Sequence, residues 1–212
     1  MLNSISIAKR LYGVVAIAAA ALIAVILIGI SDLASLNQEV EEIYQEELLP
    51  LSELAEIEQS ISEARSQITL GLQHDPESGF AELHDHPISL HTDEIRQQLE
   101  QIDAAWRTVR EDLAAYDQAL ADRLAREITE FQQHASQSSD RLLAGRFYDA
   151  NLNLLEQVNP VFANLEEDAG EAISGQIGQA EEAFNHSQQV YSGGRTLLIA
   201  LGALAAVVVI AL

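Results

Sequence analysis

The pattern of hydrophobic and polar positions places a long amphipathic region between two uncharged apolar stretches. These stretches are Leu11–Ile30, with twenty residues, and Thr196–Leu212, with seventeen. Twenty helical residues extend about 30 Å, which is the thickness of a bilayer core. We therefore predict transmembrane helices at 11–30 and 196–212. A cleaved signal peptide is the alternative for the first stretch, because Lys9 and Arg10 precede it.

Between the spans, apolar residues recur at steps of three and four, which is typical of helices with one buried face. The first series is Leu33, Leu36, Val40, Ile43, Leu51, Leu54, Ile57, Ile61, Ala64 and Ile68. The second is Ile95, Leu99, Ile102, Trp106, Val109, Leu113, Tyr116, Leu120, Leu124, Ile128 and Phe131. We expect Pro50 to kink the first helix or break it locally.

Breaks in this pattern predict where the helices end. Gln73–Pro87 contains two prolines and a glycine and is predicted to be a connecting loop. The second series is too long for one helix, so we expect a tight turn near Tyr116–Asp122. Ala144–Gly145 offers a helix stop, and the final helix should run from about Asp149 to Arg195 and into the second span.

These elements predict an all-α fold, an up-down antiparallel four-helix bundle flanked by two transmembrane helices. The bundle occupies residues 31–195, which are 165 residues and enough for one domain with a core. The aromatic residues of the two series are predicted to lie in that core. They are Tyr44, Trp106, Tyr116 and Phe131.

The charges orient this arrangement in a membrane. Lys9 and Arg10 stand directly before the first span, which places residues 1–10 in the cytoplasm by the positive-inside rule. We therefore expect a multi-pass protein of the inner (cytoplasmic) membrane, with its bundle facing the periplasm. The chain ends with the second span, so we expect the output region to follow Leu212 in the complete protein.

The composition argues against several function classes. Nine basic residues against 33 acidic ones give residues 31–195 a formal charge of −24, a surface that repels nucleic acid. There is no cysteine, nucleophile elbow, phosphate-binding glycine loop or nucleotide-binding fingerprint in the sequence. We therefore do not expect an enzyme.

Four of the six histidines fall within eighteen residues, and they are His74, His84, His86 and His91. Imidazole is a common ligand for zinc, nickel and copper, and four ring nitrogens complete a tetrahedral site. The sequence therefore predicts a site for a divalent transition metal in this loop. Asp85 and Glu94 are further candidate ligands or orienting groups. Two alternatives remain open, namely capping of helix ends and sensing of pH between about 5 and 8.

Several ordered segments carry a resemblance to a known family. The segment 5–11 near the N-terminus has the sequence Ile-Ser-Ile-Ala-Lys-Arg-Leu. Further along, Tyr44 is followed by Leu48-Leu49-Pro50-Leu51-Ser52-Glu53-Leu54. Trp106 lies on the second helix, and the segment 145–150, of sequence Gly-Arg-Phe-Tyr-Asp-Ala, precedes Pro160-Val161-Phe162. With the two-span frame, this order resembles the four-helix-bundle sensor region of bacterial methyl-accepting chemotaxis receptors over essentially all of the chain.

The resemblance implies a homodimeric transmembrane receptor. Such a module binds a small ligand outside the membrane and passes the signal through its last helix and second span to cytoplasmic signalling proteins. The histidine loop adds a metal ion as a candidate ligand for this chain. The same front end on a histidine kinase or a cyclase is one alternative, and a structural or accessory membrane bundle is another.

The resemblance also bears on the ligand. Amino-acid sensors of the family carry several arginines on the first helix and a threonine beside the proline of the last. Here the first helix offers only Arg65 outside the membrane, and Val161 stands beside Pro160. These departures do not favour an amino-acid carboxylate. Arg65 remains a weak candidate for contacting an anion, and a salt bridge to Glu58, Glu63 or a partner chain is the alternative.

Overall fold

The computed structural model describes residues 7–211, and most of them lie in helices. The helices are α1 (Ile7–Glu42), α2 (Leu49–Leu72), α3 (Ser89–Tyr116), α4 (Gln118–Leu143), α5 (Phe147–Asn153) and α6 (Asn159–Ala211). No β-strand occurs among residues 7–211, and the all-α prediction is confirmed. Most of the predicted segment 1–10 lies outside the described residues, as does Leu212.

Contacts between the helices divide the chain into two units. One contains Met1–Tyr44 and Ala180–Leu212, and the other contains Gln45–Gln179. The second unit is the bundle, formed by α2, α3, α4 and the run from α5 into α6. Neighbouring helices in it are antiparallel. In α2 and α3, Ser60 bonds Gln101 and the later residue Gln67 bonds the earlier residue His91, so the two helices run in opposite directions. The side chain of Gln132 in α4 likewise donates to the carbonyl of Leu99 in α3.

The bundle core consists of the apolar positions that the helical period selects. Residues of all four helices are at most 1% exposed, and they include Leu54, Ile57, Ile68, Ile95, Ile102, Val109, Leu113, Leu124, Phe131 and Leu165. Burying one such side chain contributes about 1.5–3 kcal/mol. The predicted core faces of the two series are therefore confirmed from Leu54 onward, with the exception of Tyr116.

A wide helical turn precedes each of two prolines. The π-helical segment Ile43–Leu48 joins α1 to α2 two residues before Pro50, and Leu154–Val158 joins α5 to α6 two residues before Pro160. Proline lacks an N–H and its ring clashes with the carbonyl four residues back. A π turn relieves that conflict without ending the helix. The local break predicted at Pro50 is thus a π turn within a continuous helix.

The turn between α3 and α4 consists of one residue. Asp117 has an extended backbone (φ −140°, ψ 94°), and its carboxylate accepts a hydrogen bond from the N–H of Leu120 at 3.0 Å. The turn predicted near Tyr116–Asp122 is confirmed at its first residues. Gly145, with φ of 68°, ends α4 at the predicted stop.

Two of the four aromatic residues predicted for the core are half-exposed. Phe131 is fully buried and Trp106 packs against the core, but Tyr44 is 50% and Tyr116 53% exposed. Tyr116 is the last residue of α3, and its ring lies against Gly175, where a Cβ would be 3.0 Å from Cε1. Tyr116 therefore packs on the surface of α6 at Gly175 and does not enter the core.

The other unit carries the apolar stretches. The helical runs Ile7–Leu72 and Phe147–Val207 each contain a segment long and apolar enough to cross a membrane. Large apolar side chains are exposed along both, for example Leu27 at 63% and Leu204 at 61%. Exposed surfaces of this kind are expected where lipid covers the helix.

Candidate metal centre

The four clustered histidines all lie at one end of the bundle, in the connection from α2 to α3 and the first turn of α3. His74 stands two residues after α2, and His84 follows a short 3₁₀ turn at Ala81–Leu83. His86 comes two residues later, and His91 is the third residue of α3. The connection brings residues from two neighbouring helix ends to one place.

The first half of this connection is held by its own hydrogen bonds. Asp75 accepts from the N–H of Glu77 at 3.0 Å, and the hydroxyl of Ser78 donates to the carbonyl of Asp75 at 2.7 Å. Gly79 follows with φ of 74°, a conformation that favours glycine. Asp75 is therefore engaged in the turn, and no histidine ring is needed to close it.

The ring nitrogens converge on a common point. One ligand atom from each of His74, His84, His86 and His91 lies within 4.8 Å of all the others. Nε2 of His86 is 3.0 Å from Nε2 of His91 and 3.5 Å from Nδ1 of His84. Tetrahedral zinc with four imidazole ligands holds its nitrogens roughly 3.3 Å apart. The observed spacing brackets that value.

Two of the rings are placed so that protonation is disfavoured. His91 is only 5% exposed, and its burial, followed by repulsion from His74, His86 and His84, lowers its pKa to about 4. Burial, followed by His84 and His86, also lowers the pKa of His74. Both rings are thus neutral at physiological pH, the state that binds a metal ion. A charge change of His91 between pH 5 and 8 is not favoured.

His74 carries an unsatisfied polar atom. Its Nε2 is buried and has no hydrogen-bond partner. A buried polar atom of this kind is unfavourable by about 1–3 kcal/mol and calls for an explanation. An ion at the centre of the cluster would provide the missing partner.

Two neighbouring side chains fix the orientation of the rings. Nδ1 of His91 is 2.7 Å from Oε1 of Gln67, and Nε2 of Gln67 donates to Oε1 of Glu63 at 2.6 Å. Nδ1 of His86 is 3.3 Å from the carboxylate of Asp85. In each case the Nδ1–H points at an acceptor, which leaves Nε2 free to face the other rings.

The two predicted carboxylate candidates lie outside the converging group. Asp85 is fully exposed and contacts only the outer nitrogen of His86, so its geometry is that of an orienting group. Glu94 accepts a hydrogen bond from Gln98 at 2.8 Å on its own helix. The ligand atoms that converge are therefore all imidazole nitrogens.

The structure does not use these side chains as helix caps. Ile88, at the start of α3, forms no side-chain cap, and the N–H of His91 bonds the carbonyl of Ile88. At the end of α2, the backbone N–H of His74 bonds the carbonyl of Gly71. Backbone groups thus close both helix ends, and the rings remain available.

Arg65 occupies a different part of the bundle surface. Its Nε donates to Oδ1 of Asn159 at 2.7 Å, and its guanidinium lies 4.7 Å from the ring centroid of Phe162. Arg65 therefore connects α2 to the beginning of α6, and among the described residues it forms no salt bridge to Glu58 or Glu63. Its contact with an anion stays a prediction.

The sequence did not point to Gln67 and Glu63. Their spacing of four predicts an amide–carboxylate pair on one helix face. Their proximity to His91 depends on the register between α2 and α3, which is set by core packing. The only available signal was that Gln67 lies seven residues, about two turns, before His74.

The described residues thus combine a helical bundle, a histidine cluster at one end of it and two apolar segments long enough to cross a membrane. Residues 4–191 match the family described as a four helix bundle sensory module for signal transduction. The chain belongs to this family, the sensory modules of chemotaxis receptors. Comparison with curated proteins and with solved structures found no match. The family is a signalling module and not a catalytic domain.

Proposed function

We propose that this chain is the sensor region of a transmembrane chemoreceptor and that it binds a divalent transition metal. The ligands are His74, His84, His86 and His91. The observation that carries the proposal is the convergence of one nitrogen from each of the four imidazoles within 4.8 Å. The buried Nε2 of His74, which has no hydrogen-bond partner, supports it. Zinc, nickel and copper all accept such ligands.

The surroundings favour a cation. The chain has a formal net charge of −22. The carboxylate of Asp85 contacts His86 directly, and that of Glu63 is linked to His91 through the amide of Gln67. An ion bound by neutral imidazoles keeps its full positive charge, which these carboxylates offset. Metal binding therefore agrees with both the ligand set and the field around it.

The proposal includes the setting expected from the sequence. The receptor is a homodimer in the inner membrane, its bundle faces the periplasm, and its signal passes through α6 and the second apolar segment to cytoplasmic signalling proteins. The family and the two apolar helices support this setting.

The bundle offers a route from the metal site to α6. An ion would join the end of α2, through His74, to the start of α3, through His91. α2 contacts the start of α6 through Arg65 and Asn159. A shift of α2 on binding would therefore be transmitted to the helix that continues into the second apolar segment.

Titration of the whole chain with zinc in detergent micelles tests the binding step. We expect one ion per chain in calorimetry, and stabilisation of about 2.7 kcal/mol when free zinc is 100 times the dissociation constant. The double substitution His84→Ala/His86→Ala should abolish both effects. His186→Ala, an exposed histidine of α6, is the matched control and should retain them. Heat without a stoichiometric endpoint, together with zinc-independent melting, would overturn the proposal.

The signalling step needs an output. The chain can be joined to the cytoplasmic region of a chemoreceptor whose kinase control is measurable. Zinc should change kinase activity in this fusion and in its His186→Ala variant, but not in the double variant. A metal-bound fusion with unchanged kinase activity would show that the ion stabilises the bundle without being its signal.

A further inference from the structure

The four histidine rings differ in how deeply they are buried and in which part of the chain carries them. His91 is the most buried of them and the only one that lies within a helix of the bundle. The other three lie in the connection between α2 and α3. The geometry of a bound ion should therefore depend first on how the ring of His91 is oriented.

The orientation of His91 is determined by an amide. An amide oxygen only accepts hydrogen bonds, so Oε1 of Gln67, at 2.7 Å, requires a proton on Nδ1 of His91. A neutral imidazole with its proton on Nδ1 has its lone pair on Nε2. That atom faces Nε2 of His86 at 3.0 Å. The contact with Gln67 thus selects the tautomer that can bind an ion inside the cluster.

Glu63 in turn determines which end of the Gln67 amide faces His91. A carboxylate accepts hydrogen bonds, so it attracts the NH₂ group of the amide, and Nε2 of Gln67 lies 2.6 Å from Oε1 of Glu63. The reversed amide would place two acceptors together at Glu63 and two donors together at His91. In this series of hydrogen bonds, Glu63 therefore fixes the orientation of the Gln67 amide, and Gln67 fixes the tautomer of His91.

We propose that the histidines form a closed four-nitrogen site of the zinc type, in which Gln67, held by Glu63, is the positioning residue that presents Nε2 of His91 to the ion. This inference rests on the proposed metal binding and adds its coordination and its outer partners. Four protein nitrogens complete a tetrahedral shell, so the ion is bound without an open position for chemistry. Through Gln67, the ion is also tied to α2 at a position five residues before the end of that helix.

Cobalt(II) is the probe, because its visible absorption distinguishes tetrahedral from octahedral coordination. The whole chain in detergent should give the intense band of tetrahedral cobalt, and zinc should displace it. Gln67→Met keeps the size of the side chain and removes the acceptor. We expect it to weaken cobalt and zinc binding 10–100-fold, the usual effect of losing an outer partner, and to alter the band.

A compensating double variant separates positioning from packing. Glu63→Gln/Gln67→Glu restores both hydrogen bonds with the donor and acceptor exchanged between positions 63 and 67. Its net charge is unchanged, and its carboxylate at position 67 accepts from His91. This variant should recover the affinity and the tetrahedral band. Gln67→Glu alone places two carboxylates together and should recover neither in full.

Gln98→Met is the matched control. Gln98 forms the same bond to a glutamate four residues earlier, at 2.8 Å to Glu94, and is not a hydrogen-bond partner of the four histidines. Its loss should leave the cobalt spectrum unchanged. Wild-type affinity and spectrum in Gln67→Met would overturn the role of Gln67, and an octahedral spectrum in the unmodified chain would overturn the closed site. Both results leave metal binding standing, whereas absence of any stoichiometric binding refutes the proposed function itself.

Discussion

Single side chains in this bundle are placed in environments that set their protonation. Glu127 of α4 is an example outside the metal centre, because its Oε2 is buried without a hydrogen-bond partner. Its burial, followed by the negative charge of Asp168, raises its pKa. Asp168 itself is bonded by Arg123 at 2.9 Å, and this bond raises the pKa of Arg123. The ionised form of Glu127 is thus disfavoured by its environment at neutral pH.

This environment predicts a pH-dependent effect of Glu127→Gln. A carboxyl group with a raised pKa in the folded state contributes stability below its unfolded pKa of 4.5, and that contribution is lost as the pH rises through the folded value. The variant should therefore melt about 1–2 °C higher than the parent at pH 7. The difference should disappear below pH 4.5.

The exposed neighbour Glu130 provides the control. Glu130→Gln should change the melting temperature at pH 7 by less than Glu127→Gln does. A gain that is equal for both variants, or constant from pH 4 to 8, would show that the effect comes from general charge reduction on an acidic chain.

At the level of elements, the junction of α3 and α4 shows how little sequence is needed to reverse a helix. One extended residue, Asp117, ends α3 and caps α4. The cap satisfies one of the four N–H groups that begin a helix without a partner. Neither glycine nor proline marks the position, so the periodic pattern continues across it.

Asp117→Ala removes this cap and should destabilise the bundle by about 1 kcal/mol. For a chain of this size, that corresponds to a melting temperature roughly 2–4 °C lower. Asp117→Asn keeps an oxygen that accepts from the N–H of Leu120 and should lose less. The thermal denaturation of both variants in the same detergent gives the comparison. Equal losses would show that the carboxylate acts through its charge and not as a cap.

Across the whole molecule, the sequence predicted what depends on periodicity and composition. The apolar period identified the core faces through Ile57, Ile102 and Phe131, and the glycine at 145 identified the end of α4. The four histidines were identified because they fall close together in the sequence. Gln67 was not identified, because its proximity to His91 depends on how α2 and α3 pack. Pro50 indicated a local break, but the sequence did not show that this break is a π turn.

The apolar unit offers a test of transmission through the chain. A Cβ on Gly194 would lie 2.7 Å from Oδ2 of Asp32, whereas a Cβ on Gly193 meets nothing within 4 Å. Either change to alanine favours the helix by about 1 kcal/mol. In the kinase fusion, Gly194→Ala should therefore shift the signalling bias more than Gly193→Ala. Identical effects of the two would indicate that helix stiffness alone matters there.

The π turn at Leu154–Val158 has a consequence for the face that its helix presents. Three buried residues, Ala150, Leu154 and Val158, follow each other at steps of four. In a regular α-helix, each such step overshoots a full rotation by about 40°, so the third residue would turn away from the core. A π turn takes up about one residue more per rotation. The three buried residues therefore all face the core. The π turn contains one residue more than an α-helical turn, so deleting one residue there should convert it to an α-helical turn while the helix before it and the helix after it keep the same faces toward the core.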